Sequence, residues 1–171
     1  YFLVTLHRSE NVDLPERLGK ILQGLSLVTE KFDKQMLVSV HPRTAEKLEK
    51  FGLKAASDKI RLLNPLGFFD FVRLEKNALA VLTDSGTVQE ECAIFGVPNV
   101  TVRDVTERPE TIEAGSNILS GADPEKILKC VEIAVSQVAN WKAPDEYLAE
   151  NVSQTVCRIL LGYNSLRRHT S

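Results

Sequence analysis

The sequence predicts an α/β domain built on a doubly wound, Rossmann-like parallel sheet with helices on both faces. Three observations predict it. Short β-rich apolar runs alternate with helical patterns along all 171 residues. Each run closes on a polar, turn-forming segment. No repeat, low-complexity tract or internal linker interrupts the alternation, so residues 1–171 read as one domain.

Residues 2–6 read as a buried strand, followed by a polar loop at 7–11. A helix follows, with Asp13 as N-cap, Pro15 in its first turn and Glu16 three residues after the cap. Leu18, Ile21, Leu22, Leu25 and Val28 place one apolar stripe along it. Residues 36–40 form a second strand, closed by His41-Pro42-Arg43, and a helix is expected over 44–51. Residues 60–63 form the third strand, Asn64-Pro65 is a turn signal, and a helix is expected around 69–77. The fourth strand, 79–83, runs into Asp84-Ser85-Gly86, and the next helix reaches about Phe95, where Gly96 and Pro98 stop it. A fifth strand spans 99–102. Residues 103–115 form a polar loop with a short helical turn after Pro109, and 118–119 a last edge strand. One helix runs from Asp123-Pro124-Glu125 to about Val138 and another from Pro144 to about Leu161. The tail from Arg167 is polar, and its His169 carries no expected role.

Bulk properties exclude several classes of function. Apolar residues make up 43% and charged residues 26%, as in ordinary globular domains. A net charge of -2 gives no electrostatic case for nucleic acid or an anionic membrane. No apolar run approaches the ~20 residues that span a bilayer. Cys92, Cys130 and Cys157 fall within helical patterns and read as small core residues of a reducing, cytoplasmic setting. The chain opens inside an apolar strand without methionine or targeting signal, so a fragment cut at a domain boundary is expected.

In a doubly wound sheet, ligands sit at the carboxyl ends of the strands. Four polar loops fall there, His7–Asn11, His41–Arg43, Asp84–Gln89 and Arg103–Arg108, with the Asn64–Phe69 turn as a fifth. At Asp84-Ser85-Gly86-Thr87, Gly86 admits close backbone approach, and free N–H groups at a helix start hold phosphate. The same turn reads equally well as an ordinary N-cap. Glu90 and Glu91 suit a helix start by its dipole alone. As sugar ligands only one can face the site, because adjacent helical residues point ~100° apart. Arg103 and Arg108 read either as a surface ion-pair network or as bidentate diphosphate ligands. His7 and His41, each beside an arginine at a strand end, are acid/base or phosphate-contact candidates. No G-x-G-x-x-G or Walker pattern and no metal-ligand spacing occurs.

Three long strings carry a resemblance: Thr5-Leu6-His7-Arg8-Ser9-Glu10-Asn11, Thr83-Asp84-Ser85-Gly86-Thr87-Val88-Gln89-Glu90-Glu91 and Arg103-Asp104-Val105-Thr106-Glu107-Arg108-Pro109-Glu110. With Gly96-Val97-Pro98 and Glu113-Ala114-Gly115-Ser116-Asn117, their order and spacing resemble the non-hydrolysing UDP-N-acetylglucosamine 2-epimerases. The resemblance extends from Val4 to about Gly162. It implies the C-terminal half of a two-domain GT-B fold, with the active site in the interdomain cleft. It also implies inversion at C2 of UDP-GlcNAc to give UDP-ManNAc, through loss of UDP, a 2-acetamidoglucal intermediate and re-addition. Neither cofactor nor metal is implied.

Carried over by resemblance, His7 matches the active-site histidine, and Ser85 and Gly86 the diphosphate holders. Glu91 matches the ribose ligand and Arg108 the UDP-binding arginine. Leu66 and Phe71 hold the uracil, through backbone and ring, with Leu66 standing where some relatives have glutamine. Arg8, Glu10 and His41 match part of a site where bacterial members bind a second UDP-GlcNAc as activator. The catalytic Asp and Glu residues belong to the N-terminal domain, so the chain alone is expected to bind UDP weakly and to epimerise nothing. The full-length protein is expected to be a homodimer. The alternatives are an epimerase of another UDP-2-acetamido sugar or a hydrolysing variant, a GT-B glycosyltransferase half, and a non-catalytic UDP-sugar-binding module.

Overall fold

Strand β1 (Phe2–Leu6) lies in the middle of the sheet, with Phe2, Leu3 and Val4 fully buried. An interior strand covered on both faces requires such a continuous apolar run. The computed structural model describes residues 1–55, 57–136 and 139–167, the last five by backbone alone. The other strands are β2 (Met36–Val40), β3 (Ile60–Leu63), β4 (Val81–Thr83), β5 (Asn99–Thr101) and β6 (Asn117–Leu119). All neighbours pair in parallel, in the order β3-β2-β1-β4-β5-β6. This is the expected doubly wound arrangement, with its switch point between β1 and β4.

The helices are α1 (Ser9–Val12), α2 (Pro15–Phe32), α3 (Pro42–Phe51), α4 (Phe68–Glu75), α5 (Gly86–Phe95), α6 (Pro109–Glu113), α7 (Pro124–Ser136) and α8 (Val152–Arg167). One face of the sheet packs Val4, Leu82 and Val100 against Leu18, Ile21 and Leu25 of α2 and Ile127 of α7. The α2–α7 crossing is close: a Cβ on Gly24 would meet Ile127 Cδ1 at 2.9 Å and Pro124 Cα at 3.2 Å. The opposite face packs Leu3 and Val81 against Val88 and Cys92 of α5 and the partly buried Phe71 and Leu74 of α4.

Four expectations change. Residues 9–12 form a helical turn, not loop, and Asn11 and Val12 are buried. Asp13 does not cap α2; Leu14 occupies that position without a side-chain hydrogen bond, and Asp13 instead pairs with Arg43 and Lys47. The helix expected from Pro144 is two pieces, a 3-10 turn (Asp145–Leu148) and α8, with extended Ala149 and left-handed Asn151 between them. Of the cysteines only Cys92 is core, while Cys130 is half-buried and Cys157 exposed. Gln137, Val138 and His169 lie outside the described residues. No described helix is long and apolar enough to cross a membrane.

Candidate functional site

Because every strand pair is parallel, the loops after β1 to β5 emerge along one edge of the sheet. The pin that joins them is Asp84, just after β4 and fully buried. Its carboxylate accepts hydrogen bonds from the backbone N–H of His7 (3.1 Å) and Arg8 (3.0 Å) and from Asn11 Nδ2 (3.1 Å). His7 Nδ1 lies 3.2 Å from Asp84 Oδ1. A carboxylate at that distance favours the proton on Nδ1, which leaves Nε2 to take or give a proton.

The start of α5 keeps its polar groups available. Ser85 is its N-cap, yet its side chain makes no capping hydrogen bond; its own N–H donates to Thr83 Oγ1 at 3.0 Å. Arg108 closes over this start: a Cβ on Gly86 would lie 3.5 Å from its Cζ and Nη2. The cation is ion-paired to Glu90, and Nη1 donates to the Glu107 carbonyl at 2.9 Å. The Glu90 hydrogen bond foremost holds Arg108 in its charged form. Gln89, fully buried, ties the loop after β5 to this helix by accepting from Thr106 Oγ1 (2.6 Å) and Asn117 Nδ2 (3.2 Å).

The two adjacent glutamates separate in direction, as the helix requires. Glu90 meets Arg108, whereas half-buried Glu91 accepts no hydrogen bond from the described residues. Its carboxyl is pushed up by desolvation and then by Glu90. Beneath it lies Glu75, the last residue of α4 and completely buried. One Glu75 oxygen accepts from the Cys92 thiol at 3.3 Å, and the other has no partner. Burial foremost pushes the Glu75 carboxyl up to about 7, and drives the Cys92 thiol well above its ordinary value.

The second cluster sits beside His7. Arg103 is almost fully buried, donates from Nε to Glu10 at 2.7 Å and lies 3.5 Å from Glu107. Arg8 reaches Glu107 at 3.9 Å, and its Nε is buried without a partner. The His41 ring is 5.9 Å from the His7 ring, but it is also the N-cap of α3, with Nδ1 accepting from Arg43 N–H at 3.2 Å. His7, Arg8, Glu10 and His41 thus meet at one side of the switch point, and Ser85, Gly86 and Arg108 at the other. Leu66 and Phe71 stand apart, on the β3–α4 side. Leu66 is half-buried, and Phe71 packs partly into the α5-side core. The exposed Phe68 and Phe69 rings lie edge to face beside them, 5.5 Å apart.

Sequence reasoning placed Asp84, Asn11 and Gln89 in candidate loops without giving them individual roles, and it passed over Glu75 and Tyr147. Tyr147 donates to Glu110, and its hydroxyl is held protonated by burial and by that contact. The periodicity of α5 could have marked Gln89, since it shares the inward face with Val88, Cys92 and Ala93. A cavity of about 600 Å³ lies beside this network, between the starts of α2 and α7 and lined in part by Arg17, Lys20 and Asp104. Among the described residues no group of three His, Cys, Asp or Glu side chains is arranged to hold a metal.

Comparison with known proteins places this geometry. The family model for UDP-N-acetylglucosamine 2-epimerase matches residues 1–161. The UDP-N-acetylglucosamine 2-epimerase of Methanocaldococcus jannaschii is 50% identical over 147 residues, 84% of this chain and 40% of that protein. The UDP-2,3-diacetamido-2,3-dideoxy-D-glucuronate 2-epimerase of Pseudomonas aeruginosa is 36% identical over 137 residues, 80% of this chain and 38% of that protein. A crystal structure of the M. jannaschii epimerase in complex with UDP-GlcNAc and UDP superposes with a TM-score of 0.88 at 47% identity, covering 94% of this chain and 45% of that one. The chain therefore spans about 40% of the length of these curated relatives. The family match runs through both clusters at the switch point and across all six strands, so the chain belongs to the UDP-N-acetylglucosamine 2-epimerase family.

Proposed function

We propose that this chain is the UDP-holding half of a GT-B enzyme that interconverts UDP-GlcNAc and UDP-ManNAc. The observation that carries the reading is the start of α5. The Arg108 guanidinium lies over Gly86, the Ser85 hydroxyl that precedes it makes no capping hydrogen bond, and His7 is joined to the same turn through Asp84. Departing UDP carries the charge that develops as the C1–O bond breaks. Preorganised N–H donors, a hydroxyl and a guanidinium stabilise that charge. Glu91 accepts from the ribose hydroxyls, and Leu66 and Phe71 hold the uracil. His7, held by Asp84, acts from Nε2 at the sugar–diphosphate end. The proton transfers at C2 require carboxylates from the other half of the cleft, which relatives of more than twice this length have room to supply. The isolated chain therefore binds UDP weakly and turns over no UDP-GlcNAc. Arg8, Glu10 and His41 are assigned to a second, activating UDP-GlcNAc, and the full-length enzyme to a cytoplasmic homodimer.

Calorimetric titration with UDP tests the cradle. Charge-assisted hydrogen bonds contribute ~1.5–3 kcal/mol, so Arg108→Ala weakens UDP binding by roughly 10- to 150-fold. Unchanged affinity overturns the assignment. A second sugar remains in view, because the P. aeruginosa relative is named for a different UDP-2-acetamido substrate. Assay of the full-length protein with both UDP-sugars separates the two.

A further inference from the structure

Arg108 presents three nitrogen positions, and two of them are already committed. Nε donates to the Glu90 carboxylate and Nη1 to the Glu107 carbonyl at 2.9 Å. Nη2 has no acceptor among the described residues, and of the three nitrogens it lies nearest to Gly86, 3.5 Å from a Cβ built there against 3.8 Å for Nε. A guanidinium is a rigid planar fork, so fixing two of its nitrogens fixes the direction of the third. Glu90 and Arg108 are both about two-thirds buried, which limits the water available to replace either contact.

The surroundings give this pair a reason to exist. Glu110 also lies close enough to act on the Arg108 charge, and Tyr147 holds its carboxylate in place. With Glu90 removed, Glu110 is the carboxylate that still acts on the Arg108 charge, and it lies on the α6 side. We propose that Glu90 is a positioning residue: its carboxylate holds Arg108 over the start of α5, so that the free Nη2 edge faces an arriving diphosphate. This rests on the UDP reading above and assigns the neighbour of Glu91 a role distinct from ribose binding.

The alternative sign is physically sound and is part of the test. A carboxylate on a phosphate-binding arginine can also compete with the phosphate, in which case its removal tightens binding. The experiment titrates the intact protein carrying this domain with UDP and, as a control lacking phosphate, with uridine. Glu90→Ala is expected to weaken UDP about tenfold and to leave uridine unchanged. Glu90→Gln keeps an oxygen that accepts from Nε–H, and is expected to stay within about threefold of the parent. In an Arg108→Ala background Glu90→Ala is expected to add nothing, because the two act as one unit. Tighter UDP binding in both Glu90 variants, an additive loss in the double variant, or an equal loss for uridine each overturns the proposal. A parent protein that binds uridine and UDP equally, or neither, overturns the diphosphate cradle itself, which is a separate result.

Discussion

The two faces of the sheet are built from different material. On the α2/α7 side the interior is dominated by an apolar cluster running from Phe2 and Val4 through Leu25 to Ile127 and Val131, and the buried hydroxyls of Ser26 and Thr29 donate to carbonyls of α2 itself. On the α4/α5 side only Leu3, Val81, Val88, Cys92 and Val97 form the buried apolar cluster. The remaining interior there includes Glu75, Gln89, Asn99, Thr101 and Asn117, all buried and joined by hydrogen bonds. The difference is written into β4 and β5: Leu82 and Val100 face the first side, Thr83, Asn99 and Thr101 the second. The apolar side supplies cohesion, while the polar side fixes directions, which a nucleotide cradle needs and dispersion forces cannot supply.

The largest effect is expected on the apolar side. Leu25→Ala leaves a cavity among fully buried neighbours and lowers stability by about 3 kcal/mol, read from urea denaturation. UDP affinity of the folded fraction stays unchanged; a matching loss of affinity erases the distinction between the faces.

Glu75 gives the polar side its own signature. Its carboxyl titrates at about 7 in the folded protein against 4.5 as the ordinary value. A raised acid favours the protonated form on folding, so its penalty is absent below about 4.5, grows as pH rises, and is complete above about 7. The gap corresponds to about 3 kcal/mol at most. Parent stability is therefore expected to fall between pH 5 and 7.5 relative to Glu75→Gln, whose curve lacks this component. Parallel curves would show that Glu75 does not titrate there. Removing the Tyr147 hydroxyl has the smallest effect. Tyr147→Phe takes one donor from Glu110 and is expected to lower stability by about 1 kcal/mol, with the thermal midpoint as readout.

Local pattern made the strands and most helices legible. β1, β2 and β3 fall where apolar runs predict them, and α5 ends at left-handed Gly96 as expected. Legibility failed where one residue type serves two uses. Asp13 has the chemistry of a cap, but Arg43 and Lys47, which arrive with the next βα unit, take its carboxylate. The break at Ala149 to Asn151 was invisible because Trp141 and Tyr147 tie the preceding segment to Ala93 and Glu110, contacts made across 48 and 37 residues. Among the site residues, loop position at strand ends was readable for His7, Ser85, Gly86 and Arg108. That Asp84 should hold His7 was not, since 77 residues separate them.

The sequence by itself determined the alternation of strands and helices, the edge of the sheet on which chemistry gathers, and the three motifs that mark the family. Each depends on periodicity or on residues near in the chain, where side-chain direction follows from backbone geometry. Only the tertiary structure decided which carboxylate meets which cation: Glu90 with Arg108, Glu10 with Arg103, Asp13 with Arg43. Charged side chains are long, and several partners of opposite sign lie within reach of each loop. The choice among them is made by packing of the βα units against one sheet, after local structure is already set.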